Sequence, residues 1–209
     1  MSESGFYWVL GGVALYGAIH SFLASHTAKR LAERVFGHAA RRFYRLGFVI
    51  LALLTAPPLL LLPLLLPDRP LYSIPPPWVY LTLALQGLAL LGLFVAIRQT
   101  GSAAFLGLQQ ITRPQPLITR AGPDQLVTVG VYRLVRHPIY MFSFILIWLM
   151  PVVTWNILAL MLGLTLYTFI GVLFEERKLS AEFGAAYEAY RRRTPMVFPR
   201  LFPRRERFS

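Results

Sequence analysis

The longest uncharged stretch of the sequence constrains the fold more than any other feature. From Ile139 to Phe174 the chain carries no Asp, Glu, Lys or Arg over 36 residues. As one helix this run would measure about 54 Å, whereas the apolar core of a bilayer is about 30 Å thick. The 36 residues can instead form two membrane spans joined by a turn near Pro151 to Asn156, although each span is then short. We therefore expect a helical hairpin in a membrane, tilted or partly re-entrant.

Three further apolar runs precede the hairpin and have the length of membrane helices. They extend from about Gly5 to Ser25, from about Phe43 to Leu66 and from about Trp78 to Ile97. Only 14% of the residues are charged, against about 25% in soluble domains. The second run contains prolines, which a membrane helix tolerates when neighbouring groups satisfy the freed carbonyls. These prolines are Pro57, Pro58 and Pro63.

The positions of the basic residues predict the orientation. With five alternating spans, 20 of the 21 Lys and Arg residues fall on one side, and only Arg69 falls on the other. The positive-inside rule makes the basic side cytoplasmic, so we expect the N-terminus outside and the C-terminus in the cytoplasm. The first residues, Met1 to Ser4, lack the basic region of a secretory signal, so we expect the first run to remain as a helix.

The predicted fold is therefore all-α: one integral membrane domain over residues 1–209, with about five transmembrane helices. It comprises three N-terminal spans (1–97), a cytoplasmic loop (98–138), the helical hairpin (139–174) and a cytoplasmic tail (175–209). The tail begins EERKLSAEFGAAYEAYRRR, which is typical of an amphipathic helix, and Pro195 is expected to end it. One face of that helix carries apolar and aromatic side chains, namely Leu179, Phe183, Tyr187 and Tyr190.

Composition also bears on partners. The net charge is +12, and the basic residues responsible for it flank the apolar runs. This placement indicates membrane topology and contact with membrane lipids rather than binding to nucleic acid. The chain has no cysteine, which excludes disulfides, thiolate metal sites and a cysteine nucleophile. We expect no metal site.

Two polar clusters are candidates for chemistry. The segment RHPIY, Arg136 to Tyr140, stands where the loop meets the fourth span, and Glu175 and Glu176 stand where the fifth ends. RHPIY could simply anchor the chain at the membrane interface, and the glutamates could be a solvated helix start. The hairpin, however, places both clusters on the same membrane face, where the aromatic tail helix can cover them. Ionisable groups at membrane depth need partners, and a polar ligand could supply them.

These segments, in their order and spacing, resemble a known family. RHPIY, then EERKL about 35 residues later, then FGAAYEAYRRRTP, is similar to the isoprenylcysteine carboxyl methyltransferases and the related phospholipid methyltransferases, over about Gly101 to Pro199. The front segment HSFLAS, from His20 to Ser25, looks more like bacterial NnrU-type proteins and methanethiol S-methyltransferases. That bacterial likeness points to the inner or plasma membrane of a prokaryote.

The resemblance implies a membrane methyltransferase that uses S-adenosylmethionine and acts on a small or lipophilic acceptor: an isoprenylcysteine-type carboxylate, a thiol or a lipid. It also implies which positions surround the cofactor. These are Gly130, Tyr132, Arg136, His137, Pro138, Tyr140, Glu175, Glu176, Tyr187 and Tyr190. His20 is the ionisable side chain well inside an apolar run, so it is a candidate for the acceptor side or, alternatively, a packed histidine.

Two other functions stay open at this stage. Membrane sterol reductases look similar to this family in their C-terminal halves, which would require a nicotinamide cofactor. A non-enzymatic membrane protein is the other alternative, although the sequence lacks the paired broken helices of symmetric transporter repeats. Co-purification with either cofactor would separate the three.

Overall fold

The computed structural model describes residues 5–101, 106–114, 117 and 126–200, which are mainly helical. The helices are α1 (Phe6–Ala24), α2 (His26–Phe36), α3 (His38–Leu65), α4 (Trp78–Gln99), α5 (Leu108–Thr112), α6 (Pro138–Trp148), α7 (Trp155–Phe183) and α8 (Ala185–Arg193). A 3-10 helix, Gly130–Arg133, precedes α6. Two short strands, β1 (Pro70–Ser73) and β2 (Val152–Thr154), pair antiparallel. The helical prediction is confirmed for the bulk of the fold, and this small sheet is an addition to it.

Within the part of the chain that the structure describes, four helices are long and apolar enough to cross a membrane: α1, α3, α4 and α7. The turn expected within the uncharged run is present, because α6 ends at Trp148 and α7 begins at Trp155. The two arms are unequal, however. Helix α6 has 11 residues, or about 16 Å of length, which is too short for a bilayer core of about 30 Å. The expected fourth span thus corresponds to a short apolar helix.

The tail helix differs from the expectation. Helix α7 continues without a break through Glu175 and Glu176 as far as Phe183, so the two glutamates lie inside a helix rather than at the start of one. Gly184, at φ +53°, then separates α7 from α8, because that backbone conformation favours glycine. Helix α8 ends at Arg193, just before Pro195 as predicted.

Helix α1 packs closely against α7 because both helices present glycine at the contact. A Cβ on Gly17 would lie 2.9 Å from the ring of Tyr167, and a Cβ on Gly163 would lie 3.0 Å from Val13. Helix α1 also contacts α3, and α4 packs against α6. These pairings set the position of the polar residues at the ends of the helices.

At the β-sheet end of the bundle, Asn156 ties the start of α7 to the end of α3. Its side chain is fully buried, and Nδ2 donates to the carbonyl oxygens of Pro63 (3.2 Å) and Pro67 (3.1 Å). The Pro63 carbonyl needs such a partner because Pro67, four residues later, has no N–H to donate. One side chain thereby satisfies the end of a proline-rich helix in an apolar setting.

Candidate functional site

A buried ion pair between Arg136 and Glu176 lies at the opposite end of the bundle. Arg136 Nε donates to Glu176 Oε1 at 2.9 Å, and Nη2 donates to Oε2 at 2.7 Å. The side chains are only 7% and 12% exposed. This two-pronged geometry is the strong form of an arginine–carboxylate contact, and it fixes the start of α6 against α7.

His137 and Tyr187 complete the cluster around Glu176. His137 Nε2 and the Tyr187 hydroxyl lie 2.7 Å and 2.5 Å from Oε1, and both donate to it. Burial, and then the hydrogen bond to this carboxylate, raise the pKa of the Tyr187 phenol above its ordinary value. The structure thus brings the three segments of the predicted site together, with Glu176 at their centre.

The segment that follows α8 holds the same cluster from the other side. Arg136 Nη1 donates to the Thr194 carbonyl at 2.6 Å. The backbone N–H groups of Arg136 and His137 donate to the carbonyls of Pro195 (2.8 Å) and Met196 (3.0 Å). Sequence reasoning missed this return of the chain. The sequence feature that pointed to this return was Pro195 alone, which predicts only where the helix ends.

A cavity of about 590 Å³ opens beside the cluster. Helices α1, α2, α3, α6, α7 and α8 all contribute to its lining, as does the segment before α6. Its volume is in the usual range for small-molecule sites, about 300–1,000 Å³. Seven of the residues expected around a cofactor line it: Tyr132, Arg136, His137, Tyr140, Glu175, Tyr187 and Tyr190.

The two adjacent glutamates have different surroundings. Glu176 lies behind the cavity wall in the cluster, whereas Glu175 lines the cavity and its side chain is 42% exposed. Glu175 Oε2 lies 3.6 Å from His137 Nδ1. His137 therefore stands between the two carboxylates, donating to one and facing the other.

The remaining predicted residues shape the backbone next to the cavity. Gly130 has φ +61°, and a Cβ there would overlap the Gln99 side chain, whose Oε1 accepts from the N–H of Val131 at 3.2 Å. Pro138 takes the first position of α6, where a missing N–H costs nothing. Neither lines the cavity.

His20 lies on α1, one helical turn from Ala24, which lines the cavity. It is 3% exposed and stacks on Tyr16 at 3.9 Å between ring centroids. Nδ1 lies 2.9 Å from the Tyr16 carbonyl oxygen, and since a carbonyl only accepts, Nδ1 carries the proton of this bond. The other ring nitrogen, Nε2, is buried and has no partner among the described residues.

Comparisons with known proteins place the likeness in the same part of the chain. The sequence profile of the phospholipid methyltransferase family matches residues 79–186. Methanethiol S-methyltransferase 2 of Bradyrhizobium diazoefficiens is 47% identical over 75 residues, which cover 36% of this chain and 29% of that protein. The methanethiol S-methyltransferase of Mycobacterium tuberculosis is 39% identical over 69 residues, or 33% of this chain and 28% of that protein.

A eukaryotic protein is similar over a longer stretch. The protein-S-isoprenylcysteine O-methyltransferase of Schizosaccharomyces pombe is 30% identical over 125 residues, which cover 53% of each protein. The matches therefore span about half of this relative and less than a third of the two bacterial ones. No solved structure matches the chain.

Proposed function

Because the chain belongs to the phospholipid methyltransferase family, we propose that it is a membrane methyltransferase that uses S-adenosylmethionine. Family membership confirms the resemblance carried by RHPIY and EERKL. The observation that carries the proposal is the cavity itself. It lies beside the RHPIY segment, and Glu175, His137 and Tyr140 line it.

The residues around the cavity fit this cofactor. An adenosine sulfonium needs a polar wall for its ribose and amino acid groups and aromatic surface for its ring and charge. Glu175 and His137 supply polar atoms, and the rings of Tyr132 and Tyr140 supply aromatic surface. The bound cofactor provides a methyl group on a positively charged sulfur, ready for displacement.

The chain's own residues divide into two roles in this proposal. Glu175 accepts hydrogen bonds from cofactor hydroxyl or amino groups, because a carboxylate against the sulfonium itself would favour the ground state and slow the reaction. Glu176 has a positioning role: it holds Arg136, His137 and Tyr187 in one arrangement from behind the wall. Much of the rate enhancement in such a displacement comes from positioning.

The acceptor that we propose is a small thiol held at His20. The two bacterial relatives are named for methanethiol, and His20 lies one helical turn from Ala24, which lines the cavity. Because Nδ1 carries the proton and donates it to the Tyr16 carbonyl, Nε2 has a free lone pair and can accept a hydrogen bond. No donor among the described residues provides one. Nε2 of His20 takes the proton that the thiol S–H releases as its sulfur is methylated.

Methyl transfer from radiolabelled S-adenosylmethionine to a panel of acceptors tests this function. The panel contains a short thiol, a prenylcysteine and an aminophospholipid, each offered to the protein in nanodiscs. We expect methylation of the short thiol and its loss in His20→Phe, which keeps the stacking on Tyr16 but has no acceptor nitrogen. Binding of a nicotinamide cofactor without methyl transfer to any acceptor would instead establish the reductase alternative.

A further inference from the structure

Three basic side chains line the cavity, two of them from the N-terminal helices and one from the EERKL segment. Lys29 comes from α2, Arg45 from α3 and Lys178 from α7. Lys29 and Arg45 lie outside residues 79–186, the range that the family profile matches. The N-terminal helices therefore contribute charge to a cavity that the C-terminal half also lines.

The fold holds Lys29 at the cavity. Ser25 caps the start of α2, since its hydroxyl oxygen accepts from the N–H of Ala28 at 3.2 Å and its carbonyl accepts from the N–H of Lys29 at 3.2 Å. The short connection between α1 and α2 places the first turn of α2 at the cavity, which the end of α7 also lines. Lys29 is thus fixed by a capped turn and is not on a free surface loop.

Lys29 has no carboxylate within ion-pair distance among the residues that the structure describes. It is half-buried, and burial lowers the pKa of its ammonium, with the nearby cations Lys178 and Arg45 lowering it further. A desolvated cation crowded by other cations is unfavourable unless an anion joins it. Lys29 therefore brings to the cavity a positive charge that a ligand anion can balance.

We infer that Lys29, with Arg45 and Lys178, forms a subsite for an oxyanion, which is the carboxylate of the amino acid part of the methyl donor. The inference rests on the proposed function. The amino acid part carries a carboxylate and an ammonium, and the cavity offers complementary charges from separate helices, Lys29 from α2 and Glu175 from α7. A lipid phosphate has the same oxyanion chemistry, but the location of Lys29 inside the cavity favours a ligand held within it.

Calorimetric titration with two ligands tests the subsite. The ligands are S-adenosylhomocysteine, which has the carboxylate, and its analogue without the carboxylate. We expect Lys29→Met to weaken binding of S-adenosylhomocysteine about tenfold, the loss of one charge-assisted contact, and to leave the analogue within about twofold. Lys29→Arg should keep the preference for the carboxylate. Arg30→Met, at the exposed next position of α2, should bind both ligands like the unaltered protein.

Each outcome decides one of the two proposals. If the unaltered protein binds neither ligand, the proposed function fails. If it binds both and Lys29→Met weakens them equally, or weakens neither, the subsite is refuted while the function stands. The lipid alternative is tested in phosphatidylcholine nanodiscs with and without phosphatidylglycerol. A Lys29→Met protein that loses only its response to phosphatidylglycerol would overturn the assignment to the cofactor carboxylate.

Discussion

Replacement of Glu176 by glutamine removes the negative charge from the centre of the buried cluster while keeping the side chain's shape. Arg136, 7% exposed, then retains only carbonyl acceptors, of which Thr194 is the nearer at 2.6 Å. Removal of one partner of a buried ion pair costs about 3–5 kcal/mol. Because two carbonyls still contact the guanidinium, we expect the lower end, about 3 kcal/mol. For a chain of this size that corresponds to a fall in Tm of about 6–12 °C.

Glu175→Gln is the matched control, because it makes the same chemical change one residue away. The Glu175 side chain is 42% exposed, and a solvent-exposed charge contributes less than about 1 kcal/mol. Thermal unfolding in detergent, followed by tryptophan fluorescence, measures both variants, and titration with S-adenosylhomocysteine measures binding. We expect Glu176→Gln to lower Tm and Glu175→Gln to weaken binding with little change in Tm. Equal Tm values, or a stable Glu176→Gln protein with weakened binding, would refute the division of roles between the two glutamates.

Three further predictions concern the same end of the bundle and the topology. Tyr187→Phe, which loses a bond to a carboxylate, should cost about 1.5–3 kcal/mol in denaturant unfolding, against about 0.5–1.5 for Tyr190→Phe, whose acceptor is a carbonyl. The raised pKa of Tyr187 means that its contribution is complete below about pH 10 and falls above it, a fall that the phenylalanine variant should lack. Gly130→Ala should lower stability by about 1–2 kcal/mol, since φ is +61° there, whereas Gly47→Ala, in open space on a helix, should not. A reporter that works only in the cytoplasm should be active at the C-terminus and silent near Pro75; the reverse result would invert the topology.

The meeting of RHPIY with the glutamate pair could be predicted because it depends on chain geometry. A turn near Pro151 in a run of uncharged residues makes two antiparallel arms, and the ends of such arms lie on one face. The unequal arms could not be predicted in the same way. The sequence is apolar on both sides of the break, and the pairing of β2 with β1 depends on residues about 80 positions apart along the chain.

The different surroundings of Glu175 and Glu176 also could not be predicted from the sequence. Adjacent residues on a helix point about 100° apart, so one of them can face a cavity while the other faces the neighbouring helices. Which one does so depends on the rotation of α7, which is set by contacts such as Gly17 against Tyr167. The cavity's basic wall was missed for a similar reason. Lys29 was assigned only to membrane topology, and nothing in its local sequence places it in the same cavity as His137.

The return of the chain after α8 bears on the order in which the protein matures. The N–H group and side chain of Arg136 have acceptors at Pro195 and Thr194, and the N–H of His137 has one at Met196, about 60 residues later. Domains fold as their chains emerge from the ribosome, at about 5–20 residues per second. The partners of Arg136 are therefore synthesised several seconds after Arg136 itself. The helices α1, α3 and α4 can be inserted in that interval, but the cavity cannot yet have its final wall, because α8 contributes to its lining. Insertion of the membrane helices and completion of the cavity are therefore separate events, and the second depends on residues made after the spanning helices of the described chain.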